Sequence, residues 1–325
     1  DLKRFEPGFL EAWRDKVATM SANTAFMGGP EIETLESRLA SWSGCSQAVT
    51  CANGTDALQL ALRASGVGPG QMVLLPDFTF WATYEAVVNV GASPVTVDIN
   101  PADLQMDFAL MQKACDLYRP AAIILVHLYG WGSERLLDFR QFCKERSIVL
   151  IEDGAQSFGT LYQGQSIYKG AHLATVSFYP AKVLGGAGDG GAVLTGDAAL
   201  AARVRALANH GRASHYSYDM VGWNSRLDSL QAAYLNICLD HFEKRLASRQ
   251  ASADFYRSQL RANVILPPAG YQSNAYLYAC THEPARRDAW TAAYQAAGIG
   301  FATTYPGSIS EQAGAREHLK HQVGG

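Results

Sequence analysis

No apolar run in this sequence is long enough to cross a bilayer. The longest, AAIILVHLYGW, is broken by His127 and falls well short of the roughly 20 residues that a spanning helix needs. The first ten residues, DLKRFEPGFL, are charged and carry no apolar core of the secretory kind, so a cytoplasmic protein that engages no membrane is expected. Charge is sparse as well: 18% of residues are charged and the formal net charge is -3, which creates no basic field for nucleic acid. Cysteine is scarce and unpatterned. The six, at positions 45, 51, 115, 143, 238 and 280, form no C-x-x-C pair and have no histidines at zinc-finger spacing, so no metal site is expected. They read as reduced, mostly buried thiols, although Cys51, beside a candidate loop, also has a reading as a reactive thiol. Internal repeats and low-complexity segments are absent.

A glycine motif is present, but without its usual setting. SFYPAKVLGGAGDGG, residues 177–191, contains G-x-G-x-x-G at Gly186, Gly188 and Gly191. A dinucleotide fingerprint follows a strand and opens a helix, because free N–H groups at the helix start hold the pyrophosphate. Here the glycines lead into AVLTGD, a β-type run ending in a turn, with no helical stripe. The segment therefore reads as strand, tight loop, strand, and a nicotinamide cofactor is disfavoured.

From about Asn53 to Ala208, helical stripes such as DALQLALRASG and LLDFRQFCKERS alternate with short apolar runs such as MVLLP, PVTVDI, AAIILVHLYG, IVLIEDGA, ATVSFYP and AVLTG. Runs that are apolar on consecutive residues belong to strands covered on both faces, so an α/β fold with a mostly parallel central sheet flanked by helices is expected. Sites in such sheets lie at the C-terminal ends of strands. With 325 residues the chain can hold a large domain, residues 1–240 with an N-terminal arm, and a smaller α+β domain, residues 241–325. The second begins with the amphipathic linker helix LASRQASADFYRSQLRA and continues through the alternating AYLYACTHEP to a helix around RRDAWTAAYQAAG.

Asp153 stands at a strand end after four apolar residues and Glu152, with Gln156 one short turn further. A buried carboxylate there needs a cation or several donors, and capping the next turn is its ordinary structural role. Lys182 follows the next β-type run, so adjacent strand ends would bring the two side chains to one pocket. Such a lysine can form an ion pair, or, in a dry pocket, lose its proton and attack a carbonyl. Asn53, Gly54 and Thr55 lie just before a periodic helix, where backbone N–H groups and the Thr55 hydroxyl can meet a phosphate; a plain N-cap by Thr55 or Asp56 is the structural alternative. An aldehyde for Lys182, a pyridinium nitrogen for Asp153 and a phosphate for the helix start together match pyridoxal 5'-phosphate.

These motifs, with GGPEIETLESRLASWSG, PDFTFWATYEAVVNVGASPVTVDI, LVHLYG and NHGRASHYSYDMVGWNSRLDSLQAAYL, resemble the DegT/DnrJ/EryC1/StrS family of nucleotide-sugar aminotransferases, pyridoxal-phosphate enzymes of fold type I. The resemblance covers about three quarters of the chain. It implies that Lys182 bonds the cofactor aldehyde, Asp153 faces the ring nitrogen, Gln156 lies near the phenolic oxygen and Phe80, or else Trp81, stacks on the ring. For the phosphate it implies Gly54, Thr55 and Ser177, with Asn224 reaching in from the partner of a homodimer. Each also has a plainer reading: Phe80 and Trp81 as core, Ser177 satisfying backbone, Asn224 as a cap and Arg226 as a solvated helix charge. Arg226 suits a carboxylate of the amino donor or of a uronate, and Tyr305 of TTYPG is a further substrate-site candidate, although Thr304 stands where the family commonly has histidine. The family ending after EHLKHQVGG is short or missing. The resemblance implies amino transfer from L-glutamate or glutamine to a nucleotide-linked keto-sugar, a 3-keto hexose or hexuronate, for amino-sugar or surface-polysaccharide synthesis. A branch with histidine at the lysine position dehydrates sugars; Lys182 argues against that lyase alternative, and the intact Lys182 and Asp153 argue against a non-catalytic sugar-nucleotide binder.

Overall fold

The computed structural model describes residues 5–260, 264–281 and 283–324. Its centre is an eight-stranded sheet built from β1 (Gln47–Cys51), β2 (Met72–Pro76), β3 (Ser93–Val97), β4 (Ala122–Val126), β5 (Val149–Asp153), β6 (Leu173–Ser177), β7 (Gly191–Thr195) and β8 (His321–Val323). The spatial order is β1-β7-β6-β5-β4-β2-β3-β8. Only β7 runs against its neighbours, β1 and β6; the other pairs are parallel. The apolar runs MVLLP and VLIED became strands because both of their faces are covered by helices.

One face packs against α2 (Pro30–Ser43), α5 (Phe108–Tyr118), α6 (Leu136–Glu145) and α8 (Ser229–Asp240) through Leu39, Met111, Phe139 and Leu235. The other packs against α3 (Gly54–Ala64), α4 (Trp81–Asn89) and α7 (Ala198–Ala208) through Leu58, Leu62, Val87 and Val204. The arm helix α1 (Phe9–Ala22) lies on α8, where the Phe9 ring meets Tyr234 edge-on at 5.2 Å. Helix α9 (Phe242–Gln259) follows α8 directly, with His241 between them. Arg261 and Ala262, the end of the stripe read for this helix, lie outside the described residues.

The C-terminal part differs from its sequence pattern. The alternating AYLYACTHEP forms no described strand beyond an isolated bridge between Val264 and Cys280, while RRDAWTAAYQA gives α10 (Arg287–Ala296) as expected. Residues 321–323, grouped by sequence with the small C-terminal part, return to the large sheet as β8 beside β3. Asp77, just past β2, accounts for this return: its buried carboxylate accepts bonds from the Ser310 N–H (2.9 Å), the Ser310 hydroxyl (2.6 Å) and the Gln322 amide (3.1 Å). No described helix is long and apolar enough to cross a membrane.

Candidate active site

The parallel strands bring their C-terminal ends to one edge of the sheet, where the antiparallel β7 begins. Register fixes the neighbours: Gly191 pairs with both Cys51 and Ser177, and Asp153 pairs with both Thr175 and Val126. The GAGDGG segment is therefore the loop joining antiparallel β6 and β7, the strand-loop-strand arrangement expected from its apolar flanks.

At this edge the turn from β1 into α3 lies close against β6 and β7. A Cβ on Gly54 would come within 2.7 Å of Ser177 Cβ, and one on Gly191 within 2.4 Å of the Asn53 carbonyl oxygen. Only residues without a side chain permit this approach. The helix is capped by Asn53, whose Oδ1 accepts from the Asp56 N–H at 2.8 Å, rather than by Thr55 or Asp56. The Thr55 hydroxyl thus has no partner among the described residues, and the first N–H groups of α3 are left over by helix geometry. Cys51 lies at the base of this turn, fully buried; burial pushes its thiol well up and its Sγ–H points at the Asn53 carbonyl, so the reading as a reactive thiol is corrected to a packed, inert one.

Asp153 Oδ2 accepts a bond from the buried Thr83 hydroxyl at 3.0 Å, and Oδ1 accepts from the Ala155 N–H at 3.1 Å. Thr79 in turn lies 3.1 Å from Thr83. Lys182, in the loop after β6, is largely buried; burial lowers the pKa of its amine, and the charge of Asp153 offsets this only in part. Its Nζ lies 3.5 Å from the Tyr276 hydroxyl. Gln156 bridges two elements, accepting from the Tyr129 N–H at 2.7 Å and donating to the Tyr305 hydroxyl at 2.9 Å. Tyr129, at φ 62°, holds a backbone conformation that few residues other than glycine adopt, and its buried hydroxyl, pushed up to about 12, donates to the Thr304 carbonyl. Burial likewise pushes up the Tyr305 phenol.

Phe80 and Trp81 separate cleanly. Phe80, just before α4, is 57% exposed with its ring 6.2 Å from that of Tyr305, whereas Trp81 packs on Tyr84 at 4.7 Å. Asn224 and Arg226 are exposed and bonded to each other, Arg226 Nη2 donating to Asn224 Oδ1 at 2.7 Å. Neither belongs to a helix: α8 begins at Ser229 with Asp228 in the capping position, so Asn224 is not a cap and Arg226 is neither a helix charge nor at a helix start. Between them, Ser225 Oγ donates to Asp56 Oδ2 at 2.7 Å and accepts from the Ala52 N–H, tying this segment to the start of α3.

Several neighbours of these groups escaped the sequence reading. Thr83 is signalled only by its place one helical turn after Thr79, and Tyr276 not at all. Glu152 had a signal, since alternation along β5 turns it away from Asp153. It is fully buried and takes two bonds from Arg140, each 2.8 Å, and one from His127 at 2.9 Å. Burial pushes its carboxyl up, but the Arg140 charge and these bonds outweigh that and hold it low.

Against known proteins, the model of the DegT/DnrJ/EryC1/StrS aminotransferase family matches residues 11–323. The chain is 42% identical over 301 residues, 91% of its length and 82% of the relative's, to the UDP-2-acetamido-2-deoxy-3-oxo-D-glucuronate aminotransferase of Pseudomonas aeruginosa. It is 38% identical over 292 residues, 89% of its length and 76% of the relative's, to the dTDP-3-amino-3,4,6-trideoxy-alpha-D-glucose transaminase of Streptomyces venezuelae. Among solved structures, DesV of S. venezuelae superposes with a TM-score of 0.93 at 35% identity, covering 98% of this chain and 86% of that one. NtdA of Bacillus subtilis with bound cofactor PMP gives 0.88 at 27% identity, covering 95% and 72%.

Proposed function

We propose that this chain, which belongs to the DegT/DnrJ/EryC1/StrS aminotransferase family, is a pyridoxal-phosphate-dependent sugar aminotransferase that moves an amino group from L-glutamate or glutamine to a 3-ketone of a nucleotide-activated hexose or hexuronate. The carrying observation is the largely buried Lys182 amine, in the loop that leaves β6 and within electrostatic reach of Asp153 at the end of the adjacent β5, together with a helix start with unused donors. The substrate class is supported by the relatives, one acting on a UDP-linked 3-oxo-glucuronate and one named for a dTDP-linked 3-amino sugar.

The residues fit the cofactor: glycines leave room at the β1–α3 turn, the Thr55 hydroxyl has no partner among the described residues, and the Asp153 carboxylate is bound by neutral donors alone, a hydroxyl and a backbone N–H. When bound, pyridoxal phosphate supplies an aldehyde that exchanges an amino group and a ring that takes up an electron pair. Gly54, Thr55 and Ser177 would hold its phosphate oxygens. Asp153 would hold a proton on its ring nitrogen, Gln156 would donate toward its phenolic oxygen, and Phe80 would lie against its ring. Burial lowers the pKa of the Lys182 amine, so it gives up a proton more readily than a solvated lysine, and its neutral form can attack a carbonyl and then collect and return the proton that moves during transfer. Arg226 binds a carboxylate of the donor or of an acidic sugar.

The test is a half-reaction screen. Glutamate or glutamine should load the enzyme, and a panel of keto-sugar nucleotides is then scanned for return of the aldehyde absorbance. A UDP-linked 3-keto sugar should restore it. Failure of every keto-sugar would overturn the acceptor class, and failure of both donors the reaction. Arg226→Ala measured in each half separately should raise the KM of the half whose carboxylate it holds, and no rise in either half would leave it without a substrate role.

A further inference from the structure

We infer that Tyr276 is the resting partner of Lys182: whenever the ε-amine is not bonded to cofactor, the phenol oxygen and ring face hold it and the proton it carries. The inference rests on the aminotransferase reading, in which Lys182 must spend half of each cycle free. A free ammonium in a largely buried site needs acceptors. The Asp153 oxygens are bonded elsewhere, to the Thr83 hydroxyl and the Ala155 N–H, and no ion pair joins Asp153 to Lys182 among the described residues. The Tyr276 hydroxyl is at 3.5 Å from Nζ, and the ring centroid at 5.0 Å, within the range of a cation–π contact.

Tyr276 is held there by a built feature. The fully buried Asn274 donates from its amide nitrogen to the carbonyls of Gln156 and Phe158, both at 2.9 Å, and accepts at Oδ1 from the Tyr276 N–H, also at 2.9 Å. One side chain thus locks the backbone of residue 276 to the turn that follows Asp153. Gly130 leaves room for it, since a Cβ there would lie 2.2 Å from Asn274 Oδ1. Arg249 of α9 donates to the Ala275 carbonyl at 3.2 Å and fixes the other side of the same peptide segment.

The chemistry balances with the proton alone. When Lys182 collects a proton, an N–H of the ammonium donates to the phenol oxygen; when it returns the proton, the phenol, kept protonated because burial pushes its pKa up, donates to the amine nitrogen. The charged and titratable groups facing the pair are Asp153 at the end of β5, Tyr179 in the lysine loop, Arg249 on α9 and Tyr305 from the C-terminal segment. Of these, Asp153 favours the ammonium; in its absence from direct contact, Tyr276 is the group within hydrogen-bond reach.

The experiment reads the titration of Lys182 in cofactor-free protein, by competitive acetic-anhydride labelling and peptide mass spectrometry across pH. Tyr276→Phe, which keeps the ring face but loses the oxygen, should lower the titration midpoint by about one pH unit; Tyr276→Leu, which loses both, should lower it further. In holoenzyme, Tyr276→Phe should lower kcat about tenfold with little change in the KM for the amino donor. An unchanged labelling midpoint in both variants overturns the proposal, whatever happens to activity. If the midpoint shifts but neither glutamate nor glutamine loads the wild-type enzyme, the Tyr276 contact stands and the aminotransferase reading fails instead. Tyr276→His, which restores a hydrogen-bonding atom, should recover part of the midpoint, and its failure to do so, beside a lowered midpoint in Tyr276→Phe, would mark the shift as a packing effect.

Discussion

Glu152 and Asp153 are neighbours in one strand and meet opposite fates, because side chains alternate across a sheet. Glu152 turns to one face, where Arg140 of α6 and His127 just after β4 bind it; Asp153 turns to the other, where among the described residues a hydroxyl and a backbone N–H bind it. A carboxylate held by neutral donors keeps its charge free for a cation, as the proposed ring nitrogen would be. Asp153→Asn should therefore retain cofactor but lose turnover on the order of a hundredfold or more, since an amide cannot hold the proton on that nitrogen. Cofactor content by absorbance and single-turnover rates check both halves of the expectation; a wild-type rate would leave Asp153 with a structural role alone.

At the scale of elements, the cradle depends on how closely α3 approaches β6. A methyl at position 54 would meet Ser177 Cβ at 2.7 Å, so Gly54→Ala must push the helix start away from the strand end. Overpacking of this kind costs about 1 to 3 kcal/mol, and cofactor affinity should fall on the order of ten- to a hundredfold, measured by titration with pyridoxal phosphate. The N-terminal arm depends on charge instead. Glu6 accepts two bonds from Arg245 on α9, at 2.8 and 2.6 Å, and these hold its carboxyl at about 2 against an ordinary 4.5. A depressed carboxyl contributes stability that is present above the unfolded value and is lost as pH falls through the folded one. The pair's contribution should thus be full above pH 4.5 and decline toward pH 2. Thermal melts of wild type and Glu6→Gln across this range should converge at the acid end, and parallel curves would show that the pair adds no stability.

At the scale of the whole molecule, the resemblance implies a homodimer, and Asn224 and Arg226 are exposed where a second copy could meet them. Met27 bridges to Asp228 in the same segment, and Met27 and Val221 are exposed, Val221 at 85%. In the implied homodimer, Asn224 of one chain would meet the phosphate held by the other. Mixed dimers of Lys182→Ala and Asn224→Ala chains test it. If the residues act across the interface, each heterodimer holds one intact site and one doubly damaged site, and about half of wild-type activity returns. If they act within one chain, every site carries a lesion and no activity returns.

The sequence by itself determined the strands and the groups at their ends. MVLLP is β2 to the residue, while the longer runs IVLIEDGA and ATVSFYP contain β5 and β6, which stop at Asp153 and Ser177 and leave Lys182 in the following loop; burial on both faces is written as consecutive apolar residues. The positions of Asp153 and the Gly54 turn were legible for that reason, while the roles proposed for them and for Lys182 come from the family resemblance. Contacts between segments far apart in the chain had no such local signature. The Thr83 bond to Asp153 spans 70 positions, that from Asn274 to Gln156 spans 118 and that from Gln322 to Asp77 spans 245. Each satisfies a buried polar group whose partner is chosen by the path of the backbone, so only the tertiary structure could decide that Tyr276 faces the lysine and that the C-terminal segment closes the sheet.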